Sequence, residues 1–204
     1  MSLLRTHFGV FVFLISVSLT VKGHAEGYEP TDIEYLDISS EMRLSMGDDE
    51  YYRFLTEDRE LFAEQIAEAK IKGIGTTKDI VGGCQDALNF EANYSILADT
   101  LFAECVLFHL MSPEKYGEAI LRLKSAAKAG YSDAQMRLGI LYLSGAGVTR
   151  SISHGLAWIK IAADNDAEHW ISFRDKKYEE YGRKYVKASL EIEELIKSEN
   201  GWDK

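Results

Sequence analysis

Residues 119–163 read AILRLKSAAKAGYSDAQMRLGILYLSGAGVTRSISHGLAWIKIAA. Two Ala-Ala pairs, Ala126-Ala127 and Ala162-Ala163, stand 36 residues apart. Between them come a small-residue turn at Gly130, a helical segment Asp133–Leu143, a glycine loop Ser144–Thr149 and a second helical segment Ile152–Ala163. In the first segment Ala134, Leu138 and Leu141/Tyr142 recur at helical spacing and form one apolar stripe. Ala134 and Gly139 have little or no side chain, which lets a neighbouring helix approach. Asp133 is placed to cap the free N–H groups of that segment. Gly145 and Gly147 supply positive φ in the loop. Ser151 or Ser153 is placed to cap the second segment, whose stripe is Ile152, Leu156, Ile159 and Ala163. Trp158 adds a large apolar area. The spacing predicts one helix-turn-helix unit of an α-solenoid.

A second, degenerate copy lies one period upstream. Subtracting 36 maps Ala134 onto Ala98, Leu138 onto Phe102, Gly139 onto Ala103 and Tyr142 onto Val106. Its loop is Phe108–Glu114, with Pro113 in place of the glycines, and its second helix is Tyr116–Ala129. Downstream the register decays, with Trp170 where Ala134 stood.

The pattern resembles the Sel1-like repeat family, relatives of the tetratricopeptide repeat. The residues that carry the resemblance are Ala126, Ala127, Gly130, Ala134, Leu138, Gly139, Tyr142, Gly145, Gly147, Val148, Trp158, Ala162 and Ala163. The loop Gly145-Ala146-Gly147-Val148 after Leu138-Gly139 is the specific part, because tetratricopeptide repeats lack it and have a period of about 34 residues. The resemblance covers residues 93–170. It implies stacked helical pairs that bind another protein.

Composition bounds the rest. The chain has 204 residues, 46% hydrophobic, with 2 Pro, which predicts one all-α domain with appendages. Its formal net charge of −10 makes it a poor partner for nucleic acid, where clustered Lys and Arg drive phosphate binding, or for an anionic membrane surface. The N-terminus has Arg5, an apolar run Phe8–Leu19 and small residues at Gly23-His24-Ala25. It reads as a signal peptide, residues 1–25, cut before Glu26. Losing Arg5 and Lys22 leaves 21 basic against 33 acidic residues, a charge of −12. No membrane span is expected after cleavage, and the protein is expected in the periplasm or secreted. In an oxidising compartment the pair Cys84 and Cys105 reads as a disulfide; two buried free thiols are the alternative.

Residues 26–47 read as an acidic, extended lead-in. Residues 48–92 read as N-terminal helices: one of about two dozen residues, Asp49–Lys72, capped by Asp48 and stopped by Gly73-Ile74-Gly75, then a short one from Thr76 or Thr77 through Cys84 to Phe90. Residues 93–170 hold the repeats. Residues 171–204 hold one capping helix, with Tyr178, Tyr181, Tyr185, Ile192 and Leu195 at helical spacing.

No enzyme signature, cofactor or metal set stands out. Neither glycine loop continues to Lys-Ser/Thr, as a phosphate loop requires. His109, His154 and His169 share no ligand spacing with one another. Ser153-His154 are neighbours in sequence, which says nothing of a catalytic pair. The expected function is therefore a non-catalytic adaptor. Two other assignments stay open. The cysteine pair flanking the first repeat is similar to the MotX family, ring components of sodium-driven polar flagellar motors, although the loop between the cysteines is shorter and the tail is not basic. Other periplasmic Sel1-like proteins are immunity proteins against secreted toxins, and strong negative charge would speed capture of a basic partner.

Overall fold

The computed structural model describes residues 41–59, 61–90, 95–110, 112–165 and 167–202, with backbone alone at 167–169. The signal-peptide reading and most of the acidic lead-in lie outside these residues. Among the described residues all regular structure is helical. Residues 41–46 are helical rather than extended. Then come α1 (Asp48–Leu55), α2 (Ala63–Lys72), α3 (Ile80–Ala87), α4 (Ile96–Glu104), a π-turn (Cys105–His109), a 3-10 turn (Pro113–Lys115), α5 (Tyr116–Lys128), α6 (Ser132–Ser144), α7 (Ile152–Asn165), α8 (Ala167–Tyr181) and α9 (Arg183–Asn200). Most helices pack against their neighbours in sequence, and α9 returns to lie on α7.

The single helix expected over Asp49–Lys72 is two. Thr56 Oγ1 donates to the Arg53 carbonyl, and the Asp58 carboxylate accepts from the Leu61 amide. Such local bonds compete with helix propagation. The break folds Phe54 onto Phe62, ring centroids 5.2 Å apart, and gathers Tyr51, Leu55, Ile66, Ala69 and Ile74 in one cluster. A straight helix would leave those residues on a free stripe. Asp48 is not the cap: Gly47 holds that position, and Asp48 accepts from Arg43 Nε at 2.7 Å. The next helix starts later than expected, because Asp79 caps it by accepting from the Gly82 amide at 2.8 Å.

The C-terminal capping helix is also two. At Gly182 the backbone takes φ 77°, ψ 170°, a conformation open to glycine. The reversal there brings Ile196 into the main core and sets Trp202 edge-on to Trp158, centroids 6.3 Å apart.

That core is built from α4 to α7. Phe102, Leu123, Ala126, Ala127, Ala134, Leu138, Leu141, Ala157 and Trp158 are all buried in it. The second helix of the upstream copy, expected over Tyr116–Ala129, is α5 (Tyr116–Lys128), and Ala98, Phe102, Ala103 and Val106 are buried. The π-turn was not foreseen. It closes with the Leu110 amide on the Cys105 carbonyl at 2.7 Å.

Every residue of α4 is buried, including Asp99 and Glu104. Asp99 faces Arg122 of α5 at 3.3 Å. The Arg122 guanidinium lies 3.9 Å from the Phe102 ring centroid and donates to the Phe90 carbonyl and to Glu118.

Cys84 of α3 and Cys105 are joined by a disulfide, Cα–Cα 5.4 Å, with both residues fully buried beside Ala67, Ile71, Leu97 and Leu101. The bridge closes a loop over a sequence separation of 21. Replacing both cysteines with Ala should cost roughly 3 kcal/mol by the chain-entropy model. Urea unfolding of the double variant against the oxidised protein measures it; equal midpoints would contradict the assignment.

Helices α6 and α7 cross closely at Gly139. A Cβ on Gly139 would lie 2.7 Å from Ile159 Cγ1 and 2.9 Å from the Gly155 carbonyl oxygen. One obstacle is backbone and cannot swing away. Gly139→Leu should therefore destabilise by about 1–3 kcal/mol, the usual range for overpacking. A thermal melt like that of wild type would show that the crossing is not packed this way.

Candidate interaction face

Charged side chains join α2, α4 and α6 along one seam. Lys72, in the last turn of α2, reaches Glu68 at 2.7 Å and Asp133, in the first turn of α6, at 2.8 Å. One turn further along α6, Arg137 meets Glu104 of α4 at 2.7 Å, and His109 of the π-turn meets the other Glu104 oxygen at 3.2 Å. Arg137 also lies over the Phe108 ring at 5.7 Å. Each group is placed by its helix: a lysine at a helix C-terminus and an aspartate at a helix N-terminus both oppose the local helix dipole. The expected capping role of Asp133 is thus replaced by an interhelical one, and α6 has no side-chain cap.

Burial alone would lower the Lys72 pKa; the carboxylates of Glu68 and Asp133 outweigh it and hold it well above the usual 10.5. Burial, then the same two carboxylates, push the neighbouring Tyr131 phenol well up. Glu104 is almost fully enclosed, whereas the Lys72 side chain is 34% exposed and that of His109 25%. The seam therefore reaches solvent at its two ends.

The sequence-predicted residues lie apart from the charged groups, in buried clusters and in turns. Ala126, Ala127, Ala134, Leu138 and Trp158 share the main core with half-buried Tyr142. Ala162 lies in a second cluster with Met136, Leu143, Leu156 and Ile159, and Ala163 is buried. Gly130, Gly145 and Gly147 all have positive φ. Cys84 and Cys105 anchor α3 to the end of α4. None of these residues is a charged member of the seam. Sequence reasoning missed Glu68, Lys72, Glu104 and Arg137 and read Asp133 as a cap, because each is an ordinary helix residue until the helices are stacked.

Other groupings are structural in form. Ser151 Oγ lies 2.8 Å from His154 Nδ1 and accepts from the His154 amide at 3.4 Å, the geometry of a helix N-cap on α7. Lys160 and Lys197 flank the buried Glu193 at 3.1 and 2.7 Å and tie α7 to α9. A shallow depression on α8, lined by Ile171, Ser172, Asp175, Lys176 and Glu179, belongs to one helix surface. Among the described residues no cluster of three His, Cys, Asp or Glu is arranged to hold a metal ion, and no helix is long and apolar enough to cross a membrane.

No family model matches the chain, and no curated protein matches it.

Lys72 gives the seam a pH signature. A lysine whose pKa is raised on folding adds stability that is fully present below its unfolded value and is lost as pH rises through the folded one. The gap in stability between wild type and Lys72→Met should be constant from pH 7 to about 10 and should shrink above the ordinary 10.5. Urea midpoints across that range measure it; a gap that persists unchanged at pH 12 would refute the pairing.

Proposed function

We propose that this chain is an exported, non-catalytic adaptor of the Sel1-like kind, which binds another protein on the surface formed by its stacked helical pairs. The observation that carries the reading is the α6–α7 pair. It combines a glycine-to-carbonyl crossing, a positive-φ glycine loop and the buried Ala162-Ala163 pair, and it sits beside a second pair, α4–α5, at a 36-residue offset. The internal disulfide supports an oxidising compartment.

A second reading rests on charge. With −12 on the expected mature chain, the partner would be a basic protein, such as a secreted toxin held inactive by this one.

The test is affinity capture from periplasmic extract by the oxidised protein, followed by titration of each recovered protein in purified form. Wild type and His154→Ala should retain the same partner. Gly139→Leu, which breaks the crossing, should lose it. A steep loss of affinity with salt identifies the charged partner of the second reading. If His154→Ala stays folded yet abolishes function, a chemical site is present and the adaptor reading fails.

A further inference from the structure

The loop after α2 and the loop after α6 share their left-handed glycines and their closing hydrogen bonds, two periods apart. Adding 72 converts Gly73-Ile74-Gly75-Thr76-Thr77-Lys78-Asp79 into Gly145-Ala146-Gly147-Val148-Thr149-Arg150-Ser151. Gly73 and Gly145 end their helices at φ 78° and 80°, with amides on the Ala69 and Leu141 carbonyls at 2.8 and 2.7 Å. Gly75 and Gly147 follow at φ 59° and 72°. The Asp79 amide then returns to the Lys70 carbonyl at 2.8 Å, and the Ser151 amide to the Tyr142 carbonyl at 2.9 Å. Both residues cap the next helix through their side chains, on the Gly82 and His154 amides. Every one of these pairs differs by 72.

The helix crossings correspond as well. A Cβ on Gly83 would meet Ile71 Cγ1 at 2.7 Å and the Ala67 carbonyl oxygen at 2.8 Å. On Gly155 it would meet Leu143 Cδ2 at 2.6 Å and the Gly139 carbonyl oxygen at 2.9 Å. The intermediate positions, 36 on from the first set, are Ala103, Leu107 and Ala119, all buried. Helices α3, α5 and α7 begin at Ile80, Tyr116 and Ile152, at equal intervals. Small residues alone recur often by chance. A shared loop hydrogen bond, two shared left-handed glycines and a shared crossing at one offset do not.

We infer that α2–α3 is a third copy of the helical unit, so that the array begins at Ala63 and holds three units at a 36-residue spacing. It is closer in detail to the third unit than the second is, because the second replaces the glycine loop with the π-turn. The inference stands on backbone geometry and does not rest on the adaptor reading. It also gives the charged seam an address. Helices α2, α4 and α6 are the first helices of the three units. Lys72 joins the first unit to the third, and Glu104 with Arg137 joins the second to the third.

Matched substitutions test it. Gly73→Ala with Gly145→Ala, and Gly83→Val with Gly155→Val, should lower the melting temperature by several degrees and by similar amounts within each pair. A variant at 73 or 83 that melts like wild type, while its counterpart at 145 or 155 does not, would overturn the equivalence. Hydrogen exchange on the unmodified protein gives a readout that needs no variant to fold. The Asp79 and Ser151 amides, which close the two loops, should both be protected. Free exchange at Asp79 beside protection at Ser151 would end the proposal.

Discussion

Arg122 is the residue the interior is arranged around. A guanidinium cannot shed its charge, and taking it out of water costs several kcal/mol unless its donors are met. Here the Phe102 ring takes its face, while Asp99, Glu118 and the Phe90 carbonyl accept from its two terminal nitrogens; its Nε is buried with no hydrogen-bond partner among the described residues. Those partners come from α4, from α5 itself and from the segment that follows α3. A single buried side chain thus fixes how three parts of the chain meet. It explains why α4 can be enclosed on all sides while carrying an aspartate at its centre.

The charged seam applies the same constraint nearer the surface. Lys72, Asp133, Glu104 and Arg137 each face an opposite charge on a different helix. None of these pairs is worth much alone where water reaches it. Together they set which helix ends lie side by side, a matter of register more than of stability. Apolar packing among alanines and leucines would tolerate small slips that these pairs do not.

Much of this was legible in the sequence wherever a single helix decides the outcome. Ala134, Leu138 and Leu141 repeat at helical spacing, and they are buried. The glycine loop needed positive φ, and has it. Reading failed where the answer lay in another segment. The helix expected over Asp49–Lys72 breaks where Thr56 and Asp58 bond to nearby backbone and Phe54 folds onto Phe62, a residue of the next segment. The tail breaks at Gly182 because α7 offers α9 a surface to return to. The seam was invisible for a related reason: Lys72 and Asp133 are 61 residues apart, and only stacking makes them neighbours. The α2–α3 unit proposed above was hidden differently. Its loop Gly73-Ile74-Gly75 stands in the sequence, but the alanines that mark the other two units are absent after Ala87, where the chain places Phe90 and Glu91.

Both sulfurs of the Cys84–Cys105 bridge are sealed in a cluster of alanine and leucine side chains. Chemistry at a thiol requires access for the oxidant and for the enzyme that delivers it. Once α2, α3 and α4 have closed over the pair, neither has a route in. The bond must therefore be made while this part of the chain is still open, which places oxidation before final packing in the maturation of the molecule. A chain that packs first, in a reducing compartment, would carry two enclosed thiols that later exposure to oxidant reaches only through local unfolding.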